Sequence, residues 1–450
     1  MDFKEALQEL CDLEAGSGLK ALGSELDEEW VRDALEQTGT CTIRRRKLPA
    51  EQVVWLVIGM GLFRDRSIVS VVKHLGLARN DSDQKPGGVV GGAIPKARRR
   101  VGEAPLRALF ESTGRHWGHQ VAAESHWRGL SIYAIDGSHL SVPDTPYNRE
   151  AFSGPRKKGA RTGYPKLRLV TLMSTRGHIV VDAAVGAYLG KGTGEMTLSK
   201  PLFEQLPDNS LLTMDRGFLE YHRLWRLQSS GEERHWLIRV RKLQKYEVTE
   251  TLGNGDYLAT VTVHPLTREK HPKLPEELKV RVIEYQVKGY PPQKLMTSLL
   301  DAERWPAEEV IQIYHERWEI ELGFRELKTH MLERRESLRS KTPEGIRQEL
   351  WGILIAYNLI RRRMAYAAKR INEAPNRMSF RFSMMLIQAF CVATAWVESP
   401  SSIPRLLAKL DDNLEQALLP ARRSERRYPR TVKVEASPYK RYWHRPRKRQ

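Results

Sequence analysis

LSIYAIDGSHLSVPD, Leu130–Asp144, marks where the character of the chain changes. Upstream, apolar residues recur with helical spacing. Here Ile132–Ile135 form an unbroken apolar run that stops at Asp136–Gly137, a pair common in turns. The segment therefore predicts a short strand ending at Asp136, a turn, and a second short strand. Downstream, KLRLVTLMSTRGHIVVDAAVGAYLG (Lys166–Gly190) predicts two strands around the turn STRG. GEMTLSKPLFEQL has a helical pattern, SLLTMD is a strand ending at Asp215, LEYHRLWRLQSSG is helical, and RHWLIRVR is a further strand. Strands and helices in this alternation make an α/β unit with a mixed sheet.

Working outward, residues 1–128 read as helical. LPAEQVVWLVIGMGLF forms a buried helix with Pro49 in its first turn, and SIVSVVKHLGL follows it. DSDQKPGGVVGGA is a Gly/Pro-rich loop. IPKARRRVGEAPLRALFESTG resumes the helical period with Lys96, Arg98, Arg99 and Arg100 near its start. A DNA-binding module and a plain helical bundle fit this region alike. Beyond the α/β unit, QKYEVTETL, DYLATVTVH, ELKVRVIEYQV and QKLMTSLL alternate polar and apolar residues and predict inserted β-structure. The region after Glu344 is helical. The segment 421–450 is basic. The organisation is thus 1–128 helical; 129–244 with 302–345 the α/β core; 245–301 a β-rich insert; 346–420 helical; 421–450 a basic tail.

Charge narrows the function. The 450 residues carry 74 Lys and Arg against 55 Asp and Glu, a net charge of +19. That excess points to a polyanion, nucleic acid before an acidic membrane surface. The longest apolar run, VVWLVIGMGLF, is shorter than the ~20 residues a membrane span requires. Three widely spaced cysteines fit neither a disulfide framework nor a zinc site, and the acidic MDFKEALQEL is unlike a signal peptide. A reducing cytosol is the expected location.

YHERWEIELGFRELK, Tyr314–Lys328, carries the chemistry on one helix. On a wheel at about 100° per residue, Ile313, Ile320, Phe324, Leu327 and Met331 form the core stripe. Tyr314, Arg317, Glu321 and Lys328 fall together beside it. Trp318 and Leu322 flank the other side, and Glu316, Glu319 and Glu326 point to solvent. Glu321 alone among the glutamates sits at the rim of the core. On this helix by itself, an Arg317–Glu321 or Glu321–Arg325 pair worth a few tenths of a kcal/mol explains it as well as chemistry does. Asp136 and Asp215 shift that balance. Each is expected at a strand end, where α/β sheets bind ligands. Each alone would be an ordinary turn former. Three carboxylates without paired Cys or His suit Mg²⁺ or Mn²⁺, and two such ions would serve phosphodiester chemistry.

These residues resemble a known family. Tyr314, Arg317, Glu321 and Lys328 in the spacing Y-x2-R-x3-E-x6-K look like the signature of the bacterial DDE transposases of the insertion-sequence-4 family. AIDGSHLSVPDTPYNREAF resembles that family's first-aspartate region, TMDRGF its second, and SLLD…ERWPAEEVIQIYHERWEIE its approach to the glutamate. The resemblance covers Ser131–Met331. It implies an RNase H-like catalytic core with an inserted β-strand subdomain, preceded and followed by helical regions. It implies Asp136, Asp215 and Glu321 as catalytic residues and as ligands of two Mg²⁺ or Mn²⁺ ions. It also implies cleavage at the ends of a mobile element and joining of the freed 3′-hydroxyls to target DNA. A homodimer would bring two ends together. Tyr314, Arg317 and Lys328 would grip the strand, with Arg216, Arg325 and Trp318 near them. For Trp318 a core position is the competing expectation. A hairpin route, which relies in relatives on a tryptophan of the insert, lacks that residue here: no Trp lies between Trp236 and Trp305.

The basic loop RKKGARTGYPK adds Arg156, Lys157, Lys158 and Arg161 to the expected DNA contacts. GKGTGE (Gly190–Glu195) lacks the order of a phosphate loop and predicts a strand-to-helix turn. The tail KRYWHRPRKRQ suits non-specific phosphate binding or disorder. Two rival functions use the same residues: a transposase descendant that only binds DNA, and an RNase H-like nuclease that cuts without strand transfer.

Overall fold

The computed structural model describes residues 19, 22, 26–41, 48–75, 77, 92–157, 160, 161, 163–240, 243–287, 291–332, 337–395, 397 and 400–420. The Gly/Pro-rich loop up to Gly91 and the basic segment 421–450 lie outside the described residues.

Among the described residues, five helices precede the sheet: α1 (Glu28–Gln37), α2 (Ala50–Leu62), α3 (Ile68–His74), α4 (Ala93–Val101) and α5 (Ala104–Glu124). α2 has one charged residue, Glu51, and the rest of it is buried. The helical period expected across IPKARRRVGEAPLRALFESTG is broken at Gly102, which takes a φ of 72° and separates α4 from α5. The basic cluster on α4 is also divided. Arg98 turns inward to donate to Gln348 at 2.8 Å, and Arg100 donates to the Leu48 carbonyl at 2.8 Å. Lys96 and Arg99 are exposed.

The sheet begins with β1 (Ser131–Ser141), then α6 (Pro146–Phe152), the small hairpin β2 (Arg156–Lys157) and β3 (Ala160–Arg161), β4 (Lys166–Ser174) and β5 (Val180–Ala187). The one-turn helices α7 (Glu195–Leu198) and α8 (Lys200–Phe203) lead to β6 (Ser210–Met214), α9 (Tyr221–Ser229) and β7 (Arg234–Arg239). The insert contributes β8 (Glu247–Gly253), β9 (Asp256–Thr262), α10 (Pro265–Lys270), β10 (Glu277–Tyr285) and β11 (Gln293–Thr297). One nine-stranded sheet has the order β5-β4-β1-β6-β7-β11-β10-β9-β8. β1 is antiparallel to β4 and parallel to β6, and β6 is parallel to β7. This mixed five-strand unit is the RNase H-like core. The inserted strands extend it, because β11 pairs antiparallel with β7.

One expectation fails here. Asp136–Gly137 is not a turn: β1 runs through it, with Asp136 opposite Thr171 and Gly137 opposite Val170. Nine residues of β4 keep the antiparallel ladder intact as far as Ser141–Lys166. A turn signal yields when a partner strand satisfies the backbone on both sides of it.

Helices cover both faces. Alternation along β1 sends Tyr133 and Ile135 to the face shared with Leu202, Phe203, Leu224 and Leu227 of α8 and α9. Ile132 and Ala134 face the other way. That second face is covered by α11 (Ala307–Glu316) and α12 (Trp318–Glu326), and beside them by α5 and α13 (Pro343–Arg370). α14 (Phe380–Ala395) and α15 (Ile403–Glu415) pack on α13. α13 is buried along most of its length and crosses α2 with backbones nearly touching. A Cβ at Gly352 would stand 2.7 Å from the Val57 carbonyl oxygen, and one at Gly61 would stand 2.9 Å from the Ile353 Cα. No helix among the described residues is long and apolar enough to cross a membrane.

Candidate active site

The register of β1 and β6 brings two acids side by side. Their last pair is Ile135–Met214, so Asp136 and Asp215 come next on neighbouring parallel strands, about 5 Å apart by strand spacing. β6 ends at Met214, whereas β1 continues with β4 alone. Asp136 therefore lies within a strand yet beside an open edge, and its side chain keeps 22% of its exposure. Asp136 Oδ1 accepts from the Gly137 N–H at 2.8 Å. Asp215 Oδ1 caps the short turn Arg216–Phe218 by accepting from the Gly217 N–H at 2.7 Å.

The third acid comes from α12. Asp136 alternates onto the face that α12 covers, and Arg317 stands between them. Its guanidinium donates to Glu321 Oε1 at 3.0 Å and lies 4.0 Å from Asp136 Oδ2. Burial, and then the charges of Asp215 and Glu321, push the Asp136 carboxyl up to about 6, against the opposing pull of Gly137 and Arg317. Burial would lower the Arg317 value, but Tyr314, Glu321 and Asp136 around it raise it. Asp136 and Glu321 thus share one internal cation, Arg317, and the Asp215 charge acts on Asp136. Among the described residues, no three acids, histidines or cysteines already form a cage for an ion. The donor set is all carboxylate oxygen, which suits a hard divalent cation.

The signature helix departs from a uniform wheel in two places. At Arg317 it tightens, with the Ile320 N–H donating to the Arg317 carbonyl, an i→i+3 bond. At Leu327–Met331 it widens into a π turn, with the Leu332 N–H reaching the Leu327 carbonyl. Lys328 rides on that turn, half-buried.

The solvent face expected for three glutamates is corrected. Glu319 is buried, Glu326 is half-buried, and Glu316 pairs with Arg176 at 2.8 Å. α12 is packed on two sides, by the sheet and by α13, so its second face is interior too. There His178 Nε2 meets Glu319 at 2.8 Å, and Arg361 lies against His178 Nδ1 at 2.6 Å. Arg361 Nε and the Tyr357 hydroxyl donate to Glu326 Oε2 at 3.0 and 2.9 Å. Since Arg361 must donate, His178 Nδ1 accepts, and Nε2 carries the proton given to Glu319.

The remaining expected contacts divide. Tyr314 is buried beside Arg317, whose charge acts on its hydroxyl, so it backs the arginine. Trp318 is 57% exposed, which removes the core alternative, and Arg317 lies 5.6 Å from its ring centre. Arg216, beside Asp215, and Arg325 are exposed. Arg156, Lys157 and Arg161 belong to the β2–β3 hairpin, and Lys158 lies outside the described residues. Glu195, the first residue of α7, lies on the other face of β1: its Oε1 stands 2.7 Å from where a Cβ at Gly137 would be, so the carboxylate occupies the space that glycine leaves opposite Asp136.

Residues 127–359 match the family described as Transposase DDE domain, and residues 17–111 match Insertion element 4 transposase N-terminal. The transposase InsG for insertion sequence element IS4 of Escherichia coli (strain K12) is 38% identical over 419 residues, covering 92% of each chain. The putative transposase InsZ of the same organism is 31% identical over 275 residues, 58% of this chain and 89% of its own. A cryo-EM structure of the piggyBac transposase synaptic complex with hairpin DNA aligns over 90% of this chain and 86% of its own, with a TM-score of 0.41 and 13% identity.

Proposed function

The chain belongs to the insertion-sequence-4 DDE transposases, and we propose that Asp136, Asp215 and Glu321 are the acids with which it cuts element ends and joins them to target DNA. The observation that carries this assignment is the Arg317 bridge. A buried guanidinium set between Asp136 and Glu321, with the Asp215 charge also acting on Asp136, makes one electrostatic unit of three distant sequence segments.

Asp136, Asp215 and Glu321 would hold divalent cations, Mg²⁺ or Mn²⁺. Two such ions, when bound, supply Lewis acidity for activating a water or 3′-hydroxyl and steadying the leaving oxygen. The chain's own side chains do the rest. Arg317, drawn from Glu321 to a phosphate, offers a planar pair of donors that fits two phosphate oxygens. Tyr314 holds the arginine's orientation from behind. Lys328, one heptad beyond Glu321 on the same helix face, would place an ammonium on the adjoining phosphate. Trp318, exposed beside Arg317, offers a ring on which an unpaired base can stack, a role separate from the missing tryptophan of the insert. Arg216 and Arg325, both exposed, would add positive charge along the duplex. Two ends must meet two such sites, so a homodimer is the working assembly.

The test is incubation of the full chain with its own element ends, with Mg²⁺ and with EDTA, beside Asp136→Ala, Asp215→Ala and Glu321→Ala. Metal-dependent cleavage and joining by the wild type, lost in each variant with end binding retained, is the expected result. Cleavage retained in any variant removes that residue from the set. Binding without cleavage by the wild type favours the binding-only descendant. Cleavage without joining favours the nuclease.

A further inference from the structure

Beyond Asp136, β1 and β4 form a ribbon whose reverse face carries no assigned role. Cross-strand partners share a face, so His139 lies with Arg168, and Ser141 lies with Lys166. β5 pairs with β4 as far as Ala187–Leu167, which sets Tyr188 beside Lys166. The four side chains form one cluster. Lys166 Nζ lies 5.8 Å and the Arg168 guanidinium carbon 5.9 Å from the Tyr188 ring centre, and the His139 ring meets Tyr188 edge-on at 5.0 Å. All four are half-exposed.

Two observations set this cluster apart from a structural stack. The first is its charge. Several half-buried and buried arginines elsewhere face carboxylates, as Arg64, Arg115, Arg176 and Arg281 do, whereas Arg168 donates to the Tyr188 carbonyl at 3.2 Å. Among the described residues, neither Lys166 nor Arg168 has an acidic partner. The second is unmet hydrogen bonding. Arg168 Nε and His139 Nε2 are buried nitrogens without a hydrogen-bond partner, a condition folded proteins seldom leave unexplained. Cations without acids, held upright by an aromatic ring, form a receptor for an anion.

The position says which anion. His139 is three residues beyond Asp136, about 10 Å along the strand. β6 has already ended, so the edge of β1 between them is free of a sheet partner. Lys328 is close enough for its charge, with those of Arg168 and Lys166, to add to burial in lowering the His139 value. A DNA strand held at Asp136 and Lys328 can therefore round this edge onto the reverse face.

We propose that Lys166, Arg168, His139 and Tyr188 form a second phosphate-binding shelf that holds the DNA backbone one or two nucleotides from the scissile phosphate. The proposal rests on the transposase reading of the chain, and its test is of binding. Full-length wild type and Lys166→Gln/Arg168→Gln are titrated with the inverted-repeat duplex that borders the gene, between about 50 and 200 mM salt. Loss of two phosphate contacts lowers the slope of log K against log salt by about 1.8 and weakens binding roughly tenfold or more. Lys409→Gln, exposed on α15, is the control for a distant charge. If the double variant fails to match the wild-type melting temperature, Lys166→Gln alone carries the test, with a slope change of about 0.9.

A second measurement locates the contact. Methylphosphonates replace single phosphates along the duplex, and those near the cut should weaken wild type but not the double variant. Wild-type slope and affinity in the double variant, or the same methylphosphonate profile in both proteins, would overturn the shelf. Absence of cleavage by wild type would instead count against the transposase reading, and the binding comparison would still decide the shelf.

Discussion

Arg361 on α13 grips both carboxylate oxygens of Glu326 on α12, on the interior side of the helix that presents Glu321 to Asp136. Arg361 is 1% exposed and Glu326 16% exposed at the side chain. The pair fixes the rotation of α12 just before the π turn that carries Lys328. Removing one partner strands the other charge in the interior. Arg361→Met should cost about 3–5 kcal/mol in urea unfolding, and Arg361→Met/Glu326→Met should recover much of that loss. Equal losses in the single and double variants would show that Arg361 acts by packing alone.

The same pair predicts an acid response. Burial by itself would raise the Glu326 carboxyl, yet the Arg361 guanidinium holds it down to about 2. A carboxylate with a depressed value in the fold contributes stability above its unfolded value near 4.5 and loses it as the pH falls toward 2. The loss should be on the order of 2–3 kcal/mol across that window. Unfolding free energies measured from pH 5 to pH 2 should fall less steeply in Glu326→Gln than in wild type. Parallel curves would exclude Glu326 as a source of acid sensitivity.

The crossing of α2 and α13 should tolerate no added methyl group. At Gly352 a Cβ would meet the Val57 backbone, which cannot swing aside as a side chain can. Gly352→Ala is expected to lose about 1–3 kcal/mol despite its better helix propensity. Exposed Gly192 on the β5–α7 turn has a φ of 78° and nothing within 4 Å, so Gly192→Ala should show only the smaller backbone cost. Thermal melts of the two variants give the comparison.

Trp318 provides a check on strand handling. It is exposed, so Trp318→Ala should leave the melting temperature near that of wild type. Stacking of one base is worth about 1–3 kcal/mol, so affinity for an end with an unpaired base beside the cut should fall about 5–100-fold. Trp318→Phe should restore most of it. Unchanged affinity in Trp318→Ala would remove the ring from the DNA path.

Much of this protein was legible in its sequence, and what was legible was local. The apolar runs around Asp136 and Asp215 specify strands by their composition. The spacing of Ile320, Phe324, Leu327 and Met331 specifies one buried helix face, and all four are buried. The signature Tyr314, Arg317, Glu321 and Lys328 pointed to the transposase family. Tertiary structure decided the rest, because pairing and packing join segments far apart in the chain. β4 carried β1 straight through Asp136–Gly137, since a ladder of hydrogen bonds outweighs the turn preference of two residues. The end of β6, rather than the end of β1, left Asp136 its opening. α13 closed over α12, and charges that a single helix assigns to solvent became the bonds of Glu319 and Glu326. A periodicity reports how many apolar faces a helix has. It does not report how many neighbours will cover the polar ones, and that number is set by the fold.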